Sequence, residues 1–290
     1  MPERRLHMSS IRTMKSWPRA IHSAKDLPEV YLPQFEELTF ERFPYSVLVP
    51  HEIRGREEVP ESLISLFEDC IIVFENKNGI IMPTSYKFSE IVDIEFGVIM
   101  LYSWIKIRGF VKGESITSNL VFNSVQDELF HPIIKATRQA IICCDGDEIR
   151  EEHRIDYLKK LNLKLYNYTK KGMIKGQTIL HSIYQPQIRE SLFHLFNKIR
   201  SETSVSILTR KELIIIHEPE KLQSTDEHKG AVWQFIPLSS IDSLYLKDND
   251  DETMHLVLKL RSNDEMKFLF SILNLKDLEE LRAIVKELKK

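Results

Sequence analysis

The sequence predicts an α+β protein, mainly β, in which one unit occurs twice: bent antiparallel sheets or barrels, each closed by a C-terminal amphipathic helix. Three observations predict it. The stretch Phe88-Ser89-Glu90-Ile91-Val92-Asp93-Ile94-Glu95-Phe96 reads like Leu238-Ser239-Ser240-Ile241-Asp242-Ser243-Leu244-Tyr245-Leu246, an offset of 150 positions. An apolar strand precedes each copy and an alternating strand follows it, with the period of two that strands require. The period then becomes 3.6 in both copies, as an amphipathic helix requires.

The elements follow in order. Residues 26–44 carry Pro28, Pro33 and Pro44 among acidic and aromatic side chains, and read as an extended lead-in that packs on the first unit. Tyr45–Val49 is a short β run ended by Pro50, and His51–Arg56 is a turn. Cys70–Phe74 is a strongly apolar strand. Asn78-Gly79 marks a hairpin, because both central residues of such a turn take positive φ, and Ile80–Met82 returns. Strands are expected at Ile91–Phe96, Ile99–Ile107 and Asn119–Phe122. Asn123 or Ser124 caps the next helix, with Asp127 and Glu128 in its first turn, where the helix dipole favours negative charge. Leu129, Phe130, Ile133, Ile134 and Ile141 form its apolar stripe. Pro132 kinks this helix or marks its true start.

Residues 145–160 read as a charged linker. Beyond it, Leu161, Leu163 and Leu165 alternate with Asn162, Lys164 and Tyr166 as in a strand. Gly172 and Gly176 punctuate a hairpin that Thr178–Tyr184 completes. Pro186–Ile199 reads as a helix, with Ile188, Leu192, Phe193, Phe196 and Ile199 on one side. Strands are expected at Val205–Leu208, Leu213–Ile216, Gln234–Ile236, Ile241–Leu246, Met254–Leu260 and Glu265–Leu273. Asn274 opens the last helix with Asp277 reciprocating the cap, and Leu275, Leu278, Leu281, Val285 and Leu288 keep helical spacing. The domain reading is a basic arm and Pro-containing lead-in over 1–44, a first unit over 45–144, the linker 145–160 and a second unit over 161–290.

In the second copy, Leu208-Thr209-Arg210-Lys211-Glu212-Leu213-Ile214-Ile215-Ile216 is a strand, a Thr with a charged turn, and a strand. Phe235-Ile236-Pro237-Leu238-Ser239-Ser240-Ile241-Asp242-Ser243-Leu244 follows. With these residues the chain resembles the pleckstrin-homology-like superfold, in its bacterial PH and GRAM-like branches. The first copy matches more loosely: it lacks the Thr-Arg-Lys turn, and Lys87-Phe88-Ser89-Glu90-Ile91 replaces the Pro-containing strand. The resemblance covers most of 45–142 and 161–288. It implies tandem PH-like domains, and a fold by itself does not give a function.

Composition narrows the classes. The chain has 290 residues, 42% apolar and 29% charged, enough for two ordinary cores. A net charge of −3 supplies no global field for nucleic acid or anionic lipid. Three cysteines, Cys70, Cys143 and Cys144, cannot form a disulfide framework, which points to a reducing, cytoplasmic setting. The longest apolar run, Phe96–Ile107, is far short of the roughly 20 residues of a membrane span. No leader pattern is read at the N-terminus. There Arg4, Arg5, Arg12, Lys15, Arg19 and Lys25 oppose only Glu3 before Asp26. This stretch reads as a disordered arm, as a basic arm for an anionic surface, or as a transit-type segment.

The usual reactive motifs do not occur. There is no CxxC pair, no zinc-protease spacing after His51-Glu52 or His217-Glu218, and no phosphate loop or nucleophile elbow. Asp248, Asp250 and Glu252 alternate like a calcium loop, but Thr253 and Lys259 stand where Gly and Glu should be, so a solvated acidic turn is expected. His153 and His181 have no identifiable nucleophile or orienting acid and read as structural or surface histidines. Trp104 and Trp233 read as packing residues. No catalytic residue, metal or cofactor is expected.

One site reading remains. Lys170-Lys171-Gly172-Met173-Ile174-Lys175 reads as a basic hairpin tip with Met173 and Ile174 exposed. In phosphoinositide-binding PH domains the corresponding loop pairs with phosphates, so the resemblance implies anion or lipid binding by Lys170, Lys171 and Lys175. In the first copy the same loop would carry His51, Arg54 and Arg56. The functional expectation is a non-enzymatic tandem scaffold that engages a protein or peptide partner. The alternative is peripheral association with anionic membrane lipid through the 170–175 tip and the N-terminal arm. Nucleic-acid binding through the interleaved Lys159–Lys175 and Tyr157–Tyr168 is not favoured, because strand packing explains those tyrosines.

Overall fold

The computed structural model describes residues 17–54, 57–142, 149–192, 196–219 and 230–290. The chain is mainly β, with antiparallel sheets and a few helices. It divides into two compact units, residues 1–91 with 98–141, and residues 92–97 with 142–290.

The first unit opens with β1 (Arg19–Ile21), two single helical turns at 24–26 and 29–31, and the short helix α1 (Leu32–Glu36). The lead-in is thus helical over Glu29–Glu36 and irregular beyond it, where an extended segment was expected throughout. Then come β2 (Tyr45–Val49), β3 (Glu52–Arg54), β4 (Glu57–Val59), β5 (Ser62–Leu66), β6 (Cys70–Lys77) and β7 (Ile80–Lys87). A helical turn at Phe88–Glu90 leads to β8 (Ile91–Ile99), β9 (Tyr102–Val111) and β10 (Glu114–Asn123). A second turn, Ser124–Phe130, precedes α2 (His131–Ile142). One sheet has the order β1-β2-β5-β6-β7, β3 pairs with β4, and β9 pairs with β10.

Local chemistry explains these joints. The β6–β7 hairpin turns at Asn78 and Gly79, with φ of 57° and 86°, and Asn76 Oδ1 accepts from the Gly79 amide at 2.8 Å. Asn123 caps the turn at 124, its side chain accepting from the Val125 amide at 3.1 Å. Pro132 lies in the first turn of α2, where a missing amide hydrogen costs nothing.

Strands β5 and β6 are buried on both faces. Leu63, Ile64, Ile71 and Val73 are all 0% exposed. Pairing puts Leu63 opposite Phe74, and Ser65 opposite Ile72, on one face. Ile21, Leu27, Tyr31 and Phe35 from the lead-in cover that face and form one core cluster with Leu48, Leu63, Ile72 and Phe74.

The second unit begins with a helical turn at 152–155, α3 (Leu158–Leu161) and α4 (Leu163–Gly172). Then come β11 (Ile179–Gln185), β12 (Ile188–Leu192), β13 (Phe196–Ser201), β14 (Ser204–Thr209), β15 (Glu212–His217) and β16 (Gly230–Pro237). A turn at Leu238–Ser240 leads to β17 (Ile241–Asp248), β18 (Thr253–Leu260) and β19 (Glu265–Ser271), and after one more turn to α5 (Leu275–Leu288). The order β8-β16-β15-β14-β11 holds in this unit, with Val92–Gly97 supplying the β8 segment. β17-β18-β19 is a separate sheet, and β12 pairs with β13. From β2 to α2 and from β11 to α5 the succession of strands, turns and helix is the same.

Four expectations are corrected. Residues 161–168 are helical. Asn162 caps α4 by accepting from the Leu165 amide at 3.0 Å, and the residues α4 buries, Leu165, Tyr166, Thr169 and Gly172, have helical spacing. The alternating Leu161 and Leu163 that suggested a strand are 57% and 60% exposed. Ile188–Leu192 and Phe196–Ser201 pair as the antiparallel strands β12 and β13, where a helix was expected. The charged stretch before 160 is not wholly solvated either, since Ile155 and Leu158 are buried. At α5, Asn274 does not cap: its amide donates to Tyr184 O and to Gln185 Oε1, tying the helix start to β11. The helix then buries Leu278, Leu281 and Val285, and it touches both β11 and β17.

Helix α4 lies against β14 and β15, and Trp233 fits closely under its last turn. A Cβ on Gly172 would stand 2.9 Å from Trp233 Cδ1, and Trp233 Nε1 donates to Tyr168 O at 3.0 Å, which holds the ring in place. Replacing a helical Gly by Ala ordinarily stabilises by up to about 1 kcal/mol. Here overpacking, about 1–3 kcal/mol, exceeds that gain. Gly172→Ala is expected to lower the denaturant midpoint followed by tryptophan fluorescence; an unchanged or higher midpoint refutes the close fit.

Tyr31 and Tyr86 are each 0% exposed, and burial pushes both phenols above 10.0, Tyr31 further because of the Glu61 charge. A raised acid binds its proton more tightly when folded, so stability is full below the unfolded value and falls as pH rises past it. Spectrophotometric titration should show two tyrosines that ionise only with alkaline unfolding.

Candidate functional site

The expected basic tip is not a hairpin tip. Lys170 and Lys171 lie in the last turn of α4, where lysines suit the helix dipole. Met173 and Ile174 are buried, 9% and 4% exposed, and only Lys175 projects from the bend that follows. Lys170 Nζ pairs with Glu152 at 2.8 Å, and this hydrogen-bonded partner raises its pKa. Lys171 lies over the Trp233 ring at 5.8 Å, Lys164 pairs with Glu218 and Lys159 with Asp156. The interleaved lysines and tyrosines thus belong to two successive helices, α3 and α4, and the residues flanking them. Arg54 ends β3, paired with Glu57 in the ladder, while Arg56 lies outside the described residues. His51 Nε2 is 3.0 Å from Glu58. Of the residues after 142, Cys143 and Cys144 also lie outside the described set.

Element order places the counterpart of the His51–Arg56 loop at β12–β13, and a basic cleft stands there. It has a volume of about 380 Å³ and is lined by Arg200, Glu202, His217, His255 and Lys267 over an apolar floor that includes Ile215 and Phe268. Arg200 reaches Asp250 at 2.6 Å. The hydrogen bonds from Thr253 and then Arg200 hold Asp250 far below the usual carboxylate range. Lys267 pairs with Glu265 at 3.2 Å. His255 is pushed below its ordinary 6.5 by burial first, then by Lys267, Lys247 and Arg200. The sequence reading missed this cleft because it placed Arg200 at the end of a helix. Its residues come from four separate strands and turns, and no spacing joins them.

In the first unit, the lead-in and the β5–β6 turn enclose a larger, apolar cleft of about 980 Å³. Leu38, Phe40, Phe43, Phe67, Cys70 and Ile72 line it, with Thr39, Glu41, Glu68 and Asp69 at its edge. The phenyl rings brace one another: Phe35 stacks on Phe43 with centroids 5.6 Å apart, and Phe40 meets Phe43 at 6.0 Å and Phe67 at 6.3 Å. Burial pushes the Cys70 thiol up, a hydrogen bond with Ser85 opposing it in part. A thiol raised in this way stays neutral at pH 7 and acts as apolar lining, since the thiolate is the nucleophile.

Trp233 is a packing residue, as expected: it is 3% exposed and its ring lies 5.9 Å from Phe96 and 5.3 Å from Tyr168. Compared with known protein families and with curated proteins, the chain matches none. Among the described residues, no helix is long and apolar enough to cross a membrane.

His255 should titrate below 6.5 in a proton-detected NMR experiment, and its midpoint should rise in Lys267→Ala, which removes one of the cations that depress it. A midpoint at or above 6.5 in the native chain contradicts the cleft's electrostatics.

Proposed function

We propose that the chain is a non-enzymatic, cytoplasmic binding module built from tandem pleckstrin-homology-like units, and that its first unit engages an apolar peptide segment of a protein partner. The observation that carries this reading is the cleft between the lead-in and β5–β6. Binding sites are concave, mainly apolar and rimmed by a few polar groups. This cleft has that composition, with aromatic walls pre-set by their own ring contacts. Aromatic and aliphatic side chains of an extended or helical segment are the complement of such a lining. The repeated succession of strands and closing helix supports the tandem PH-like reading. So does the touch of α5 on strands of both sheets in its unit.

The second reading, attachment to anionic lipid, now rests on a different set of residues. Its cations are Arg200 and Lys267 at the charged cleft, while Lys170 and Lys171 belong to a helix end and Met173 and Ile174 are not available to insert.

A photo-crosslinking residue placed at the exposed rim positions Thr39 and Glu68 tests the first reading. The expected result is a protein crosslink that survives high salt and is lost when Phe40→Glu is added, because apolar contact is insensitive to screening. No protein crosslink, together with salt-sensitive pelleting on anionic vesicles that Lys267→Glu removes, would replace it by the lipid reading.

A further inference from the structure

His181 stands in β11 facing the first two turns of α5, and its side chain is nine-tenths buried. Its Nε2 is 3.0 Å from the main-chain oxygen of Asp277. A carbonyl oxygen only accepts, so Nε2 carries the hydrogen. In a neutral imidazole the other nitrogen, Nδ1, is then a bare acceptor. It points at Glu280 Oε1, another acceptor, 3.7 Å away. That separation is too long for a hydrogen bond, and two lone pairs facing each other repel. The arrangement calls for a positive charge between them.

The spacing suits a metal ion. Two ligand atoms each about 2.1 Å from a tetrahedral zinc stand roughly 3.4 Å apart. The carboxylate of Asp277, one helical turn before Glu280, brings a third donor, and a His181 ring nitrogen and one oxygen of each carboxylate lie within 4.8 Å of one another. The outer shell fits as well. A metal-bound histidine ordinarily donates its other ring N–H to a carbonyl or carboxylate, which fixes its tautomer, and Asp277 O takes that hydrogen here. Among the described residues, no Lys or Arg pairs with either carboxylate. We propose that His181, Asp277 and Glu280 form a site for a divalent cation of the zinc class, with three protein ligands and a fourth position open to solvent. One imidazole and two carboxylates match zinc, cobalt or nickel, whereas calcium and magnesium take oxygen ligands. The bound ion fastens the start of α5 to β11, beside the Asn274 hydrogen bonds to Tyr184 and Gln185. This site is independent of the peptide cleft, which belongs to the other unit.

The test uses the full chain, stripped with a chelator and titrated with Zn²⁺ by calorimetry and with Co²⁺ by visible absorption. One equivalent per chain is expected, with the intense bands of four-coordinate Co²⁺ and a rise in the melting temperature. Glu280→Gln and Asp277→Asn, which alter partly exposed side chains and leave the fold in place, should each weaken binding at least tenfold and remove the thermal shift. No saturable binding by the native chain overturns the proposal. Equal binding by both variants also overturns it, because it would place the metal on other histidines or cysteines.

Discussion

The constraint on which the structure depends is that the central strands are apolar on both faces. An antiparallel sheet commonly leaves one face to water and alternates accordingly. Here Val205, Ile207, Leu208, Leu213, Ile214 and Ile216 are each 0% exposed, and in the first unit Val47, Ile64, Ile71 and Val73 are too. Each such side chain contributes about 1.5–3 kcal/mol only if its own side of the sheet is covered. Each unit therefore needs a second cover on the face away from its other strands. The lead-in with α1 supplies it for β2, β5 and β6, and α4 supplies it for β14 and β15. The duplication is thus longer than its strands, because a helical segment precedes the first long strand in both copies.

This cover also explains the two clefts. The lead-in is short and Pro-rich, and beyond α1 it crosses the end of the sheet as an irregular chain from Leu38 to Pro44. An irregular segment cannot fill the space over a sheet as a helix does, and the aromatic-lined cleft is what remains between it and the β5–β6 turn. In the second unit α4 packs closely enough that Trp233 meets a glycine. The charged cleft lies instead on the opposite side of β15, where Ile215 projects between its neighbours Ile214 and Ile216. Alternation along one strand thus gives β15 one apolar face under α4 and another that floors the charged cleft.

How much of this the sequence discloses depends on whether the signal is local. The Asn78-Gly79 turn, the Asn123 cap and the parallel stretches at 88–96 and 238–246 are set by neighbouring residues, and each stands as read, the two stretches as a helical turn followed by a strand. Helix α4 was hidden because leucines at 161, 163 and 165 satisfy a period of two while the residues that matter, 165, 166, 169 and 172, satisfy 3.6. The unbroken apolar runs at 71–74 and 213–216 held the missing clue, since they require a cover on both sides. The β12–β13 hairpin mimicked a helix by accidental spacing of Ile188, Leu192, Phe196 and Ile199. The basic cleft and the His181 cluster were beyond reach in the sequence, because the cleft gathers residues from distant strands and His181 meets Asp277 and Glu280 only where the last helix packs on β11.

The same distinction between chain and space separates the repeat from the unit. Val92–Gly97 belong to the first copy by sequence but cluster with the second unit, beside β16. Asp93 is 1% exposed there, with the amide of Gln234 at 3.5 Å, and Phe96 lies against Trp233. This placement buries a carboxylate, which costs free energy wherever its oxygens lack partners. Its consequence is that a cut at the end of α2 divides the sequence repeat cleanly but removes a strand from the second unit's sheet and leaves the edge of β16 unpaired, the exposed edge that invites aggregation.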